Sequence, residues 1–134
     1  MKVRTAGKAD FAQIRALAAS FNLDYDDMEE DDFWVAAEGK KVVGACGLKK
    51  HPDCRELCSL GVAEGFRKKG LGKRLVAALL EASAGDMYLT TIIPDYFERL
   101  GFHRADRVPP SMLKPEEWCS GCPRDRCRVL VKKR

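Results

Sequence analysis

The stretch GVAEGFRKKGLGKRLVAALL, Gly61 to Leu80, constrains the fold more than any other part of the chain. A strand-like run, Glu56 to Val62, leads into it, and an amphipathic run, Leu71 to Ala84, leaves it. Between them Arg67, Gly70 and Gly72 stand in the spacing R-x-x-G-x-G, with Lys68, Lys69, Lys73 and Arg74 around them. A helix N-terminus presents backbone N–H groups without partners and a partial positive charge. A strand entering it through a glycine-rich turn makes an anion site, and phosphate is the usual guest. Gly70 and Gly72 let that backbone come close with no Cβ in the way. The plainer alternative is a basic helix start in a solvated turn. A Walker A loop is excluded, because Leu71 follows the Gly65 to Gly70 gap where Lys is required, and the dinucleotide fingerprint G-x-G-x-x-G is absent.

The rest of the pattern places this unit in an α/β (α+β) chain. Lys2 to Thr5 reads as a first strand. Asp10 to Phe21 reads as a helix: Phe11, Ile14, Leu17, Ala18 and Phe21 recur at three and four, and Asp10 can cap it. An acidic run with seven carboxylates, Asp24 to Asp32, follows. Phe33 to Ala37 and Lys41 to Leu48 form a hairpin about the turn EGK, and HPDCR is a loop. After the Leu71 to Ala84 helix, stopped by Gly85, come a strand at Met87 to Thr91 and a short helix from Pro94 to near Leu100 with Gly101 behind it. Arg128 to Lys132 can be a last strand. The order β-α-β-β-β-α-β-α-(β) predicts one mixed sheet with helices on both faces. No repeat or linker interrupts it, so residues 1–134 read as a single domain with a Cys-rich tail at 108–134.

A net charge of +4 is too mild to argue for nucleic acid without a denser basic stripe. No apolar run reaches the roughly 18 residues of a membrane span. The opening MKVRTAGKADFAQ lacks the apolar centre of a signal peptide. The expectation is a cytoplasmic protein with no nucleic-acid or membrane partner. Its six cysteines are then thiols or metal ligands rather than disulfides.

SLGVAEGFRKKGLGKRLV resembles the acyl-CoA-binding turn of the GNAT superfamily of N-acetyltransferases. YFERLGF, Tyr96 to Phe102, resembles that family's second signature, and DFWVAAEGKKVVGACGL resembles its second and third strands. The resemblance covers roughly residues 1 to 104. It implies a GNAT fold and acetyl-CoA as cosubstrate, with its pyrophosphate on the backbone amides of Arg67, Lys68, Lys69, Gly70, Leu71 and Gly72, beside Lys73. The family's reaction is direct attack of an amine on the thioester. Because an alkyl ammonium of pKa about 10.4 is almost wholly charged at pH 7, a general base helps. Glu56 opens the strand before the turn, where the family often places a base carboxylate. A backbone N–H from that strand polarises the thioester carbonyl in the family. Leu60, Gly61 and Val62 are the matching positions, with Leu60 the expected donor and Gly61 suited to a bulge. Phe97 stands against the cofactor where many members carry a tyrosine that protonates the thiolate. The acid could instead be water, Tyr25 or Tyr88.

ELCSLGV, YLTT and the tail with Trp and CxxC resemble short amino-acid N-acetyltransferases of the glutamate type. There an arginine is expected where Cys58 stands, and an arginine could hold a substrate carboxylate. The acidic run favours a cationic acceptor instead. The partner implied is a small-molecule amine or amino acid. Family members often dimerise, so a homodimer is compatible. The tail spacing Cys119-x-x-Cys122-x4-Cys127 suits structural zinc with His103, Cys54 or His51 as fourth ligand. It equally suits redox-active thiols or an iron–sulfur site. Two other functions stay open: a non-catalytic acyl-CoA sensor, and a metal- or redox-responsive interaction module.

Overall fold

A computed structural model of the chain describes residues 1–67, 69–112 and 127–133. Seven strands and three α-helices are present among them: β1 Lys2–Thr5, α1 Phe11–Ala19, β2 Asp32–Glu38, β3 Lys41–Lys50, β4 Arg55–Val62, α2 Leu71–Ala82, β5 Met87–Thr91, α3 Pro94–Glu98, β6 His103–Arg104 and β7 Arg128–Lys132. They form a mixed α+β architecture with a seven-stranded sheet. The residues divide into two compact units, Met1–Lys49 with Leu57–Ala84, and Lys50–Glu56 with Gly85–Arg134.

In the first unit β1 pairs antiparallel with β2, Lys2 opposite Ala37 and Thr5 opposite Trp34. β2 pairs antiparallel with β3 through the two-residue turn Gly39-Lys40, with a register shift between Ala36 and Ala37. β2 is buried along its whole interior, Phe33 to Ala37, because helices cover it from both sides. Phe33 and Val35 pack with Ile14 and Ala18 of α1. Gly44, opposite Ala36, faces Leu75 of α2, where an added Cβ would sit 3.1 Å from the leucine. The expected helices on both faces are therefore present in this unit.

Helix α1 starts after a 3-10 turn at Lys8–Asp10. Asp10 was expected to cap α1, but its carboxylate turns back instead. It accepts from Gly7 N at 2.8 Å and from Arg4 at 2.8 and 3.1 Å. α1 then ends in a Schellman motif, with Leu23 N donating to Ala18 O at 2.8 Å and Asn22 N to Ala19 O at 3.1 Å. Asn22 supplies the left-handed residue at φ 60. α2 stops at Ala82, two residues short of the expected end, because Ser83 turns extended and Gly85 takes the left-handed turn at φ 81.

The Arg4 donors, and then the Gly7 N–H, hold the Asp10 carboxyl below the usual carboxylate range. A depressed folded pKa adds stability that is fully present above the unfolded value of about 3.9 and is lost as pH falls through the folded value. Asp10→Ala is therefore expected to be less stable than wild type in urea unfolding at pH 7. The gap should narrow below pH about 3.9. An equal gap at both pH values would remove the ion pair from the account.

The acidic run is no simple loop. Asp27 turns left-handed at φ 63 into a 3-10 turn, Met28–Glu30, and Met28 is buried at 0% exposure among Ile14, Ala18, Phe33 and Val35. The carboxylates around it are exposed except that of Asp31, which is half-buried, and Glu29 pairs with Arg15 at 2.5 Å.

In the second unit β7 pairs antiparallel with β5, Met87 opposite Lys132 and Thr91 opposite Arg128, and with β6, His103 opposite Val131. Glu56, at the start of β4, pairs in parallel with Tyr88. α3 ends as its glycine predicts: Gly101 is left-handed at φ 97, and Phe102 N donates to Phe97 O at 3.1 Å. No described helix is long and apolar enough to cross a membrane.

Candidate active site

The turn after β4 has the backbone its glycines imply. Gly65 and Gly70 are left-handed at φ 93 and 73. Gly70 is the N-cap of α2, its side opens to solvent, and nothing lies within 4 Å of where its Cβ would be. Leu71 and Gly72 form the buried start of α2, which carries no acidic residue in its first turn and no capping side chain. No N-cap side chain satisfies the first N–H groups of α2. Lys69 and Lys73 are exposed beside this mouth, and Lys68 lies outside the described residues.

Arg67 is fixed rather than free-swinging. Its Nε donates to Val62 O at 3.1 Å, and its guanidinium lies 5.1 Å from the centroid of the Phe21 ring. Phe21 in turn lies on Gly61, where an added Cβ would sit 2.9 Å from two ring carbons. Gly61 therefore makes room for the ring that supports Arg67. Gly61, expected to suit a bulge, is not itself the left-handed residue of β4. That residue is Ser59, at φ 51, an uncommon conformation for a non-glycine residue. The Ser59 hydroxyl donates to Leu23 O at 2.7 Å and ties β4 to the end of α1. Strain of this kind costs about 1–3 kcal/mol and gathers at functional sites. Leu60 and Val62 follow it, both half-buried.

Beside Ser59, Cys58 belongs to a cluster that the sequence did not reveal. The Tyr25 hydroxyl donates to Asp31 Oδ2 at 2.7 Å and lies 3.6 Å from Cys58 Sγ, and Lys49 Nζ sits 3.9 Å from the Tyr25 ring centroid. Burial above all, then the Cys58 and Asp31 neighbours, raises the Tyr25 pKa far above that of a free phenol. Tyr25 is therefore a neutral phenol donating to Asp31.

In the second unit Glu56 is 12% exposed, and its Oε1 lies 2.9 Å from His51 Nε2, itself 20% exposed. The turn between β3 and β4 makes this pair, closed by His51 N donating to Cys54 O at 2.8 Å. The only advance signal was a histidine and a glutamate flanking the short loop HPDCR. Phe97 is buried, edge-on to Tyr96 at 5.1 Å and Phe102 at 6.0 Å. An open depression of about 580 Å3 in this unit is lined by Ile92, Ile93, Tyr96, Arg99 and Arg128 among others, and includes none of the residues singled out for catalysis or cofactor binding.

Of the expected metal ligands, Cys119 and Cys122 lie outside the described residues. Among the described ones, which include Cys127, Cys54, His51 and His103, no group of three or more His, Cys, Asp or Glu side chains could hold a metal ion. His51 is engaged with Glu56. Burial pushes the Cys54 thiol up to about 11, with the charges of Asp53 and Glu56 adding to it. The described residues give zinc no support.

Comparisons with known proteins give the fold and the family. An uncharacterised N-acetyltransferase of Chlorobaculum tepidum is 30% identical over 100 residues, covering 69% of this chain. The chain spans 63% of that relative's length. N-acetylglutamate synthase from Neisseria gonorrhoeae, solved with coenzyme A and N-acetyl-glutamate, superposes with a TM-score of 0.81 at 20% identity over 98% of this chain and 34% of its own. A Mycobacterium tuberculosis protein solved with coenzyme A superposes at 0.76 and 19% identity over 100% of this chain and 99% of its own. Likeness at such identity establishes the fold. The family model for the acetyltransferase (GNAT) family matches residues 8–104, a span that holds the strand, the glycine turn and the helix described above, and the chain belongs to that family.

Proposed function

We propose that this chain is a single-domain, acetyl-CoA-dependent N-acetyltransferase that moves an acetyl group to the amine of a small molecule or amino acid by direct attack. The observation that carries this is the uncapped start of α2 behind left-handed Gly70, with Arg67 held at its side and no acidic residue in the first turn. That turn suits a pyrophosphate, and related folds have been solved with coenzyme A bound. The backbone amides of Arg67 to Gly72 hold the donor, with Lys68, Lys69 and Lys73 adding charge. The Leu60 N–H polarises the thioester carbonyl as negative charge develops on its oxygen. Glu56 serves the base function at the other end of β4. The amine nitrogen bonds to the carbonyl carbon, the C–S bond breaks, and the thiolate takes a proton.

The Tyr25–Asp31–Lys49 cluster beside Cys58 supports an amino acid as the acceptor. It offers both a cation and a carboxylate, a pairing that suits a zwitterionic amino acid better than a polyamine. Incubation with acetyl-CoA and a panel of amino acids, polyamines and a lysine peptide, read by mass spectrometry, tests this. An acetylated amino acid is the expected product. A polyamine product would overturn the acceptor assignment, and no product from any amine would overturn the enzyme reading.

A further inference from the structure

His51 was assigned no catalytic part by the sequence, yet it is joined to the glutamate proposed above as the base. Its Nε2 is 2.9 Å from Glu56 Oε1, and both side chains are mostly buried. The backbone fixes the two ends independently: Glu56 is held in β4 opposite Tyr88, and His51 is held by its N–H bond to Cys54 O. A carboxylate alone is a weak base for an ammonium, because its ordinary pKa, about 4.3, lies far below pH 7. An imidazole, at about 6.5, lies close to working pH, where general bases act best. An ionised carboxylate at hydrogen-bond distance orients an imidazole and stabilises its protonated form.

We propose that His51 and Glu56 act as one dyad, in which the proton removed from the acceptor ammonium comes to rest on His51 while Glu56 remains ionised as its partner. This deepens the N-acetyltransferase reading and rests on it. The balance closes. An ammonium loses two protons on becoming an amide. One ends on the sulfur of coenzyme A, and the other leaves for solvent. His51, one-fifth exposed, is the exit for the second. The titratable and charged groups nearest the dyad along the chain and across the strand pair are Tyr88 opposite Glu56, Asp53, Cys54 and Arg55 in the connecting turn, and Lys50 before it. Cys54, pushed up to about 11, stays neutral through the pH range that matters.

The chain holds two histidines, His51 and His103, so imidazole resonances can be assigned with one substitution, His103→Gln. With the amine identified by product analysis, the acidic limb of kcat/KM in wild type should coincide with the His51 titration read from its own resonance. In Glu56→Gln the limb should still follow the His51 resonance of that variant, at a lower kcat/KM. In His51→Gln kcat/KM should fall about a hundredfold and the limb should disappear, with KM for acetyl-CoA unchanged. The coincidence in wild type needs no His51 variant, so it decides the matter even if that variant fails to fold. An active wild type whose limb ignores the His51 titration would overturn the dyad and leave the transferase reading standing. A wild type inactive with every amine would overturn both.

Discussion

Gly70→Asp is expected to fold normally and to bind coenzyme A about a hundredfold more weakly than wild type, which is about 2.8 kcal/mol. Gly70 caps α2 in the left-handed region, and nothing lies within 4 Å of its missing Cβ. Aspartate enters that region at a cost of about 1 kcal/mol. Its carboxylate would then sit among the N–H groups left open at the start of α2, where a negative side chain stabilises a helix. The substitution places inside the protein the anion that the site is argued to take from the ligand. Two charge-assisted hydrogen bonds lost at about 1.5 kcal/mol each give the expected loss. Isothermal titration with coenzyme A reads the affinity, and thermal unfolding reports the fold. Unchanged affinity in a folded variant would move the pyrophosphate away from this turn.

Met28→Ala is expected to cost about 3 kcal/mol of stability and to lower the unfolding midpoint by roughly 10 °C. Its side chain is fully buried against α1 and β2, although it stands in a run where seven of nine residues are acidic. Glu30→Gln, two residues on and exposed, should change stability by less than about 0.5 kcal/mol. The contrast separates a docked 3-10 turn from a solvated acidic loop. A Met28→Ala effect as small as that of Glu30→Gln would restore the loop.

The acidic run shows what can be read from residues and what cannot. β1, β5 and β7 occupy the spans that alternation and turn residues indicate, because those signals are local to each strand. α3 ends at Gly101 because a left-handed C-terminal residue favours glycine. Asn22, left-handed at φ 60, closes α1 in the same way. Two-residue β6 had none, since it exists only through pairing with Val131 and Leu130 of β7. Met28 was hidden because neighbouring charge outweighs one apolar residue in any window. The glycine turn was legible because its backbone need is written in glycine. The left-handed residue of β4 is Ser59, which no glycine marks, while Gly61 answers to the Phe21 ring, a contact across 40 residues. The His51–Glu56 pair and the Tyr25–Asp31–Cys58 cluster are likewise products of turns and packing, which no spacing rule encodes.

The most direct test of the central claim, acetyl transfer from thioester to amine, follows the bond itself. Acetyl-CoA labelled with 13C at the acetyl carbonyl would be mixed with the protein and the amine panel and watched by NMR. The account predicts that the thioester carbonyl signal is replaced by an amide carbonyl signal, and that Gly70→Asp slows this about a hundredfold at donor concentrations well below the dissociation constant. A thioester signal that persists with every amine, or gives way only to acetate, would contradict it.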